Sequence, residues 1–282
     1  MKVLITGYAG FIGSHLAQRL VYQGHEVWGV DNFSTGYNLN ADVHECRSEW
    51  LGASGQPALE EADLYIHCAA SYKDPNNWEQ DVETNVLGAK TVADAAKKSN
   101  ARIIYFQTVL PPISSYAISK IAGEHYLRLS GQPLTVFRLA AVYGPRNLSG
   151  AIPTFYRQVK AGLPCTVVED ASRDFVFIED LVQLVMGHLY AQRSEVVNVY
   201  TNHETRILEI PGMIGQLLET EAVMKLIPRP PHDVPHYDMD GTPLYEITTF
   251  AEGLKQAVEW YEANGVGDTY SHLGVLDDES ST

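Results

Sequence analysis

The sequence predicts an α/β fold, a doubly wound parallel sheet followed by a smaller C-terminal α/β lobe. Three observations carry this. Apolar runs of strand length alternate with helical patterns through the first two hundred residues; the runs are continuous rather than alternating in polarity; and three glycines separate the first run from the first helical pattern. Strands spaced by helices pair in parallel and are covered on both faces, so their residues need not alternate.

In order, "KVLIT" (2–6) is the first strand and "FIGSHLAQRLVYQG" (11–24) an amphipathic helix returning from it. "HEVWGV" (25–30) and "DLYIHCAA" (63–70) are further strands, followed by the helix "VETNVLGAKTVADAAKKS" (82–99). "RIIYF" (102–106), the helix "SSYAISKIAGEHYLRLS" (114–130) and "LTVFRL" (134–139) continue the rhythm. From about Gly144 it breaks into loops rich in Pro and Gly, with "VVNVYT" (196–201) as one more strand and "TRILEIPGMIGQLLE" (205–219) and "FAEGLKQAVEWYEAN" (250–264) as helices. The expected division is residues 1–143 plus about 174–201 as one domain, and 144–173 with 202–270 as a lobe that completes a pocket. Residues 271–282 are polar, acidic and aperiodic, and read as a flexible tail.

A chain of 282 residues with 45% hydrophobic composition buries a proper core without staples. Cys46, Cys68 and Cys165 are odd in number and far apart, so neither a disulfide framework nor a metal motif is expected. A reducing, cytoplasmic location fits this usage. The opening apolar run is too short for a secretory segment, and no run approaches the length of a membrane span. The formal charge of −15 repels polyanions, which argues against nucleic acid and anionic membrane as partners. A small anionic ligand needs only a few local cations, and Arg138, Arg146, Arg157, Arg173 and Arg229 supply candidates.

Gly7, Gly10 and Gly13 stand between a buried strand and a helix that begins near Phe11. Glycines there let the backbone turn sharply and approach a pyrophosphate, which faces the open N–H groups and positive end of the helix. The second strand runs into Asp31, whose carboxylate suits two ribose hydroxyls and repels a 2′-phosphate. No arginine follows in "NFSTG", so NAD is favoured over NADP. The competing reading is a tight turn in a ligand-free α/β protein.

Tyr116 and Lys120 are four residues apart on one helix face, with Ser114 or Ser115 as N-cap. An ammonium beside a phenol is expected to lower the tyrosine pKa, so that the phenolate takes a proton from a substrate alcohol while hydride leaves the same carbon. Thr108, at a strand end, offers a hydroxyl to the substrate oxygen. The alternative is a packed tyrosine beside a solvated lysine.

Together "ITGYAGFIGSHL", "VDNFSTG", "HCAA", "ETNVLGAKTV", "SSYAISKIAGEH", "VYGPR", "RDFVFIEDLV" and "AEGLKQAVEWY" resemble, in order and over nearly the whole chain, the NAD-dependent nucleotide-sugar epimerase/dehydratase family, the extended short-chain dehydrogenases. The resemblance implies a Rossmann domain holding NAD, a sugar-nucleotide lobe, a nucleotide-sugar substrate and a homodimer formed through the helices near 81–98 and 115–130. It assigns Gly7, Gly10, Phe11, Ile12, Gly13, Asp31, Asn32 and Ala69 to NAD, with Lys73 as a further cofactor contact. Thr108, Tyr116 and Lys120 take the catalytic roles, the last two also touching cofactor, and Arg173 and Arg229 the nucleotide diphosphate. No metal is implied.

Three positions depart from the family pattern. Members usually place about two dozen residues, including a loop over the active site, between the strand-end Ser/Thr and the tyrosine. Here Thr108 and Tyr116 are eight apart, joined by "VLPPIS", which implies a displaced Thr108 and a more open pocket. Ala141 in "LAAVYGP" replaces a substrate-binding asparagine, and "VHECRSEW" lacks a "GD" that reads adenine. Family dehydratases carry an Asp-Glu pair after the threonine and decarboxylases a Glu in that region; "TVLPP" has neither. The remaining chemistry is 4-epimerisation by transient oxidation at C4. The alternatives are a same-fold NAD(P)-dependent keto-sugar reductase or dehydratase, and a non-catalytic dinucleotide-binding regulatory protein. Retention of Thr108, Tyr116 and Lys120 favours an enzyme.

Overall fold

The computed structural model describes residues 1–34, 44–47, 59–72, 74, 76–229, 244 and 247–267. Lys73 and the tail expected at 271–282 lie outside the described residues. The chain divides into two compact units, Met1–Leu139 with Val182–Asn198, and Ala140–Leu181 with the chain from Val199 onward.

In the first unit β1 (Lys2–Thr6), β2 (Glu26–Asp31), β3 (His44–Arg47), β4 (Leu64–His67), β5 (Arg102–Thr108) and β6 (Leu134–Leu139) pair in parallel in the order β3-β2-β1-β4-β5-β6. The strand order reverses between β1 and β4, and in such sheets the ligand crevice opens at the carboxyl ends of those strands. Helix α1 (Phe11–Tyr22) links β1 to β2. Between β4 and β5 run α2 (Trp78–Asp81), a π-helical turn (Val82–Leu87) and α3 (Gly88–Ser99); α4 (Ser115–Arg128) links β5 to β6. Val3, Leu4, Ile5, Leu64 and Ile66 are fully buried, as strands covered on both faces require. Leu4, Tyr65, Val92, Ala96, Ile103, Tyr105, Leu127 and Val136 form a continuous core cluster, and α3 packs on α4. Gly24, at φ +78°, and Asn100, at φ +51°, stop α1 and α3 in the left-handed conformation that glycine and asparagine tolerate.

The second unit contains β7 (Ala141–Tyr143), α5 (Ala151–Lys160), β8 (Cys165–Val168) and β9 (Ser172–Phe177), and the start of α6 (Ile178–Gly187). After β10 (Glu195–Val199), which lies beside β6 in the first sheet, it adds β11 (Glu204–Arg206), α7 (Ile210–Leu217), β12 (Met224–Ile227) and α8 (Phe250–Asn264). β9 pairs antiparallel with β11 and parallel with β7, and β12 pairs parallel with β8. Tyr143, Phe175, Phe177 and Phe250 meet edge-on or tilted to one another, and Tyr143 donates to the Phe250 carbonyl at 3.2 Å. A Cβ on Gly253 would lie 2.2 Å from the Tyr143 hydroxyl, so α8 can dock there only with glycine at that position.

Two expectations differ from the structure. Residues 140–143, 174–181 and 199–201 fall in the second unit, where β9 pairs with β7 and β11 and not with the large sheet. The helix expected over 205–219 is instead β11, a 3₁₀ turn at Ile207–Glu209 and α7, since ladder bonds to β9 hold the first residues extended and Pro211 suits the first turn of a helix. Among the described residues no helix is long and apolar enough to cross a membrane, and no group of three or more His, Cys, Asp and Glu could hold a metal ion.

Candidate active site

The glycine loop is built by contacts a side chain would prevent. Gly7, at φ +71°, donates to the Val30 carbonyl at 2.7 Å, and Gly10 donates back to the Gly7 carbonyl at 3.1 Å. A Cβ on Gly7 would lie 2.6 Å from the Ala69 nitrogen, and one on Gly13 would lie 2.1 Å from the Gly7 oxygen. The loop is thereby pressed between the end of β4 and the start of α1. Gly10 caps α1 without a side-chain hydrogen bond, so the first-turn N–H groups of Phe11, Ile12 and Gly13 have no intrahelical acceptor and are offered to an anion.

Asp31 closes this cradle from the end of β2. Its Oδ2 accepts from the Ala9 N–H at 3.0 Å and its Oδ1 from the Phe33 N–H at 2.7 Å. Burial raises its pKa, with the backbone bonds opposing that rise. Each oxygen keeps a second lone pair for a ribose hydroxyl. Asn32 is exposed, and its Oδ1 accepts from the Ser34 N–H at 3.0 Å. Open first-turn amides, a backbone stripped of Cβ atoms and a carboxylate on the adjacent strand fit NAD.

Beneath the loop, Thr6 Oγ1 lies 2.6 Å from His67 Nδ1 and accepts from the Ala69 N–H at 3.4 Å. The hydroxyl and Nδ1 share one hydrogen bond, and Nε2 is buried without a partner among the described residues. Burial, helped by Lys120, pushes the His67 pKa down to about 3, so the ring is neutral. It stacks on Tyr105 at 5.6 Å between centroids.

Ser114 accepts from the Ala117 N–H at 3.2 Å and starts α4, which sets Tyr116 in its first turn and Lys120 one turn later. Lys120 is 3% exposed, with Nζ 4.2 Å from the Tyr105 ring centroid, and Tyr105 donates to its carbonyl at 2.9 Å. Desolvation lowers its pKa to about 7, Cys68 opposing the shift. Tyr116 is half-buried and meets the Tyr72 ring edge-on at 6.4 Å. The expected lowering of the phenol pKa is not what the structure shows. Burial raises it, and Tyr72 and Asp81 raise it further. Desolvation thus holds the phenol neutral and brings the titration of the lysine near neutral pH, so that the amine supports a phenolate only in its protonated form.

Thr108 ends β5 half-buried, and its Oγ1 accepts from the Leu110 N–H at 3.1 Å, leaving its own proton to donate. The short bridge is held by the Val109 N–H on the Leu139 carbonyl at 3.2 Å and the Ile113 N–H on the Pro111 carbonyl at 2.7 Å. Buried Glu124 fixes α4 to the sheet: Gln107 donates to it at 2.6 Å, Arg128 grips it at 2.6 and 3.0 Å, and Arg138 lies 3.7 Å away.

Sequence reasoning assigned no role to Asn85. It lies in the π-helical turn, accepts from the Ser71 N–H at 2.9 Å, and donates to the Ser71 carbonyl at 3.0 Å and to Ser119 Oγ at 2.9 Å. Its place in "ETNVLG" marks the segment, and only the fold shows that it ties the loop after β4 to α4. In the second unit Arg173 donates to the Ser172 carbonyl at 2.7 Å, while Arg229 donates to the Asp170 carbonyl, so both arginines gather at one turn.

Residues 3–199 match the sequence model described as the NAD dependent epimerase/dehydratase family. The chain is 29% identical to a UDP-N-acetyl-alpha-D-glucosaminuronate decarboxylase of Bacillus cytotoxicus, covering 92% of this chain and 97% of that protein. It is also 29% identical to a UDP-glucose 4-epimerase of Mycolicibacterium smegmatis, covering 93% and 98%. The crystal structure of the Bordetella bronchiseptica enzyme WbmG in complex with NAD and UDP is similar at a TM-score of 0.83 and 31% identity, covering 96% of this chain and 98% of that one.

Proposed function

Since the chain belongs to the NAD-dependent epimerase/dehydratase family, we propose that it is a nucleotide-sugar 4-epimerase acting by transient oxidation at C4 of a nucleoside-diphosphate sugar. The observation that carries this reading is the pairing of Thr108, Tyr116 and Lys120 at the end of β5 and the start of α4 with a connecting bridge, Val109 to Ile113, that contains no acid. The family's dehydratases and decarboxylases carry further acids in this region, and this bridge has none to give. The glycine loop and Asp31 would hold NAD, which when bound would supply the acceptor and later the donor of hydride. Tyr116 takes the proton of the C4 hydroxyl and returns it. Thr108 donates to the same oxygen and holds it in register, and Lys120, when protonated, stabilises the phenolate. Arg173 and Arg229 anchor the diphosphate, and that remote binding energy retains the ketose while it turns.

The relatives support a nucleotide sugar as substrate, two of them being named for UDP-sugars and one being solved with NAD and UDP. A homodimer in the cytoplasm completes the proposal. Its interface is the exposed apolar strip of Trp78, Val82, Leu87, Ile118, Tyr126 and Leu129 on the adjoining turns of α2, the π-helix and α4. The function is tested by incubating purified protein with UDP-, dTDP- and GDP-sugars without added cofactor and following products by NMR. Interconversion of C4 epimers supports it; net reduction, loss of water or release of CO₂ contradicts it.

A further inference from the structure

Tyr105, on β5, is fully buried and meets the residue that α4 places one turn after Tyr116. It does so twice. Its hydroxyl donates to the Lys120 carbonyl at 2.9 Å, and its ring centroid lies 4.2 Å from Lys120 Nζ. A Cβ on Gly123 would come within 2.9 Å of the Tyr105 hydroxyl, so a side chain at that position would press on the tyrosine. The helix is thus shaped to admit it. The ring also stacks on His67, with 18° between the planes, and that imidazole is neutral and sets no positive charge against the lysine. Among the described residues Lys120 Nζ has no hydrogen-bond or salt-bridge partner, which leaves the Tyr105 ring as its contact.

We propose that Tyr105 is a positioning residue for Lys120: the ring face attracts the ammonium form, and the hydroxyl fixes the lysine's backbone. The proposal rests on the assignment of Lys120 to support of the Tyr116 phenolate. An ammonium within about 6 Å of a ring face is attracted by the ring's quadrupole, most strongly where water is excluded. A carboxylate in that place would attract it too, but would take one of its three N–H donors. The ring takes none, so all three stay available to cofactor and phenol. The titratable groups about this pair are Tyr105 from β5, His67 and Cys68 at the end of β4, and Tyr116 on α4 itself. Glu124, one turn beyond, is taken up by Gln107 and Arg128. Burial draws the Lys120 titration down to about 7, so at neutral pH the pull of the ring decides how much of the lysine is ammonium.

The test is an NMR titration of the protein with NAD bound and its lysines labelled with ¹³C at Cε, the Lys120 resonance being the one lost in Lys120→Met. Tyr105→Phe keeps the ring and drops the hydroxyl, and a trifluorinated phenylalanine at position 105 keeps that shape but removes the electron-rich face. The Lys120 pKa is expected to stay within about 0.3 unit of wild type in Tyr105→Phe and to fall by about one unit more on fluorination, the size of a desolvated cation–π contact. The high-pH limb of kcat, on a sugar nucleotide the wild type converts, is expected to move down with it. A packing role alone would move neither on fluorination. A Lys120 titration that fluorination leaves in place or raises overturns the proposal. Found beside an inactive Lys120→Met, that result removes the role of Tyr105 alone. Wild-type turnover retained by Lys120→Met overturns the assignment of Lys120, and the positioning role with it.

Discussion

At the scale of single residues, Tyr116 and Lys120 show how much environment adds to spacing. The four-residue interval is legible in the sequence and α4 realises it. The charge states are not legible, because they depend on Tyr105 under the lysine and on Tyr72 about the phenol, which arrive from two other segments. Tyr116→Phe is expected to keep the fold and NAD binding and to lower turnover by roughly 10²- to 10⁴-fold, the scale of a lost positioned acid–base group, as steady-state kinetics would show. Lys120 makes a separate prediction about stability. The folded chain releases its proton near pH 7, where burial places its pKa, and the unfolded chain only near the ordinary lysine value. Between those values the unfolded state binds more protons, so stability rises with pH across that window, and below it the full cost of the buried cation is present. Denaturant titrations at pH 7 and pH 9 should show this rise in wild type and a smaller one in Lys120→Met.

At the scale of elements, the strand-loop-helix units around β1, β4 and β5 were readable because each local signal agreed with its neighbours: apolar run, glycine or serine stop, periodic helix. The second unit was less readable. β7, β8, β9, β11 and β12 are three to six residues long, and their pairing partners lie far away in sequence, so local pattern says little about them. The π-helical turn at Val82–Leu87 was likewise hidden, since it is fixed by Asn85 reaching Ser71 and Ser119. The Thr108–Tyr116 bridge is the element on which the chemistry depends. Its backbone is pinned at Val109 and Ile113, and Thr108 keeps a proton to give. Thr108→Ala is accordingly expected to cost more than tenfold in kcat with little change in NAD affinity. A loss below about threefold would mean that Ser114, Ser115 or a water holds the substrate oxygen instead.

At the scale of the whole molecule, the first unit carries the glycine loop, Asp31, Thr108, and Tyr116 with Lys120 on four separate stretches of chain, and the second gathers Arg173 and Arg229 at one turn. The order β3-β2-β1-β4-β5-β6 places the ends of β1, β2, β4 and β5 side by side. Composition, motif order and strand rhythm were enough to expect that sheet, whereas the division between units was misplaced by several residues because β9 has no local signal of its partners. Trp78, Ile118 and Leu129 are 67%, 54% and 76% exposed on adjoining helical turns, an apolar surface that a second copy of the chain would cover. Light scattering at micromolar concentration is expected to give the mass of a dimer, and Ile118→Asp with Leu129→Asp to give that of a monomer; a monomeric wild type contradicts the interface. The reaction itself is best tested with a nucleotide sugar deuterated at C4, incubated with the purified protein and no added cofactor. The expected result is the C4 epimer with deuterium still at C4 and no accumulated NADH, while loss of the label, release of CO₂ or one equivalent of cofactor consumed per product would contradict a 4-epimerase.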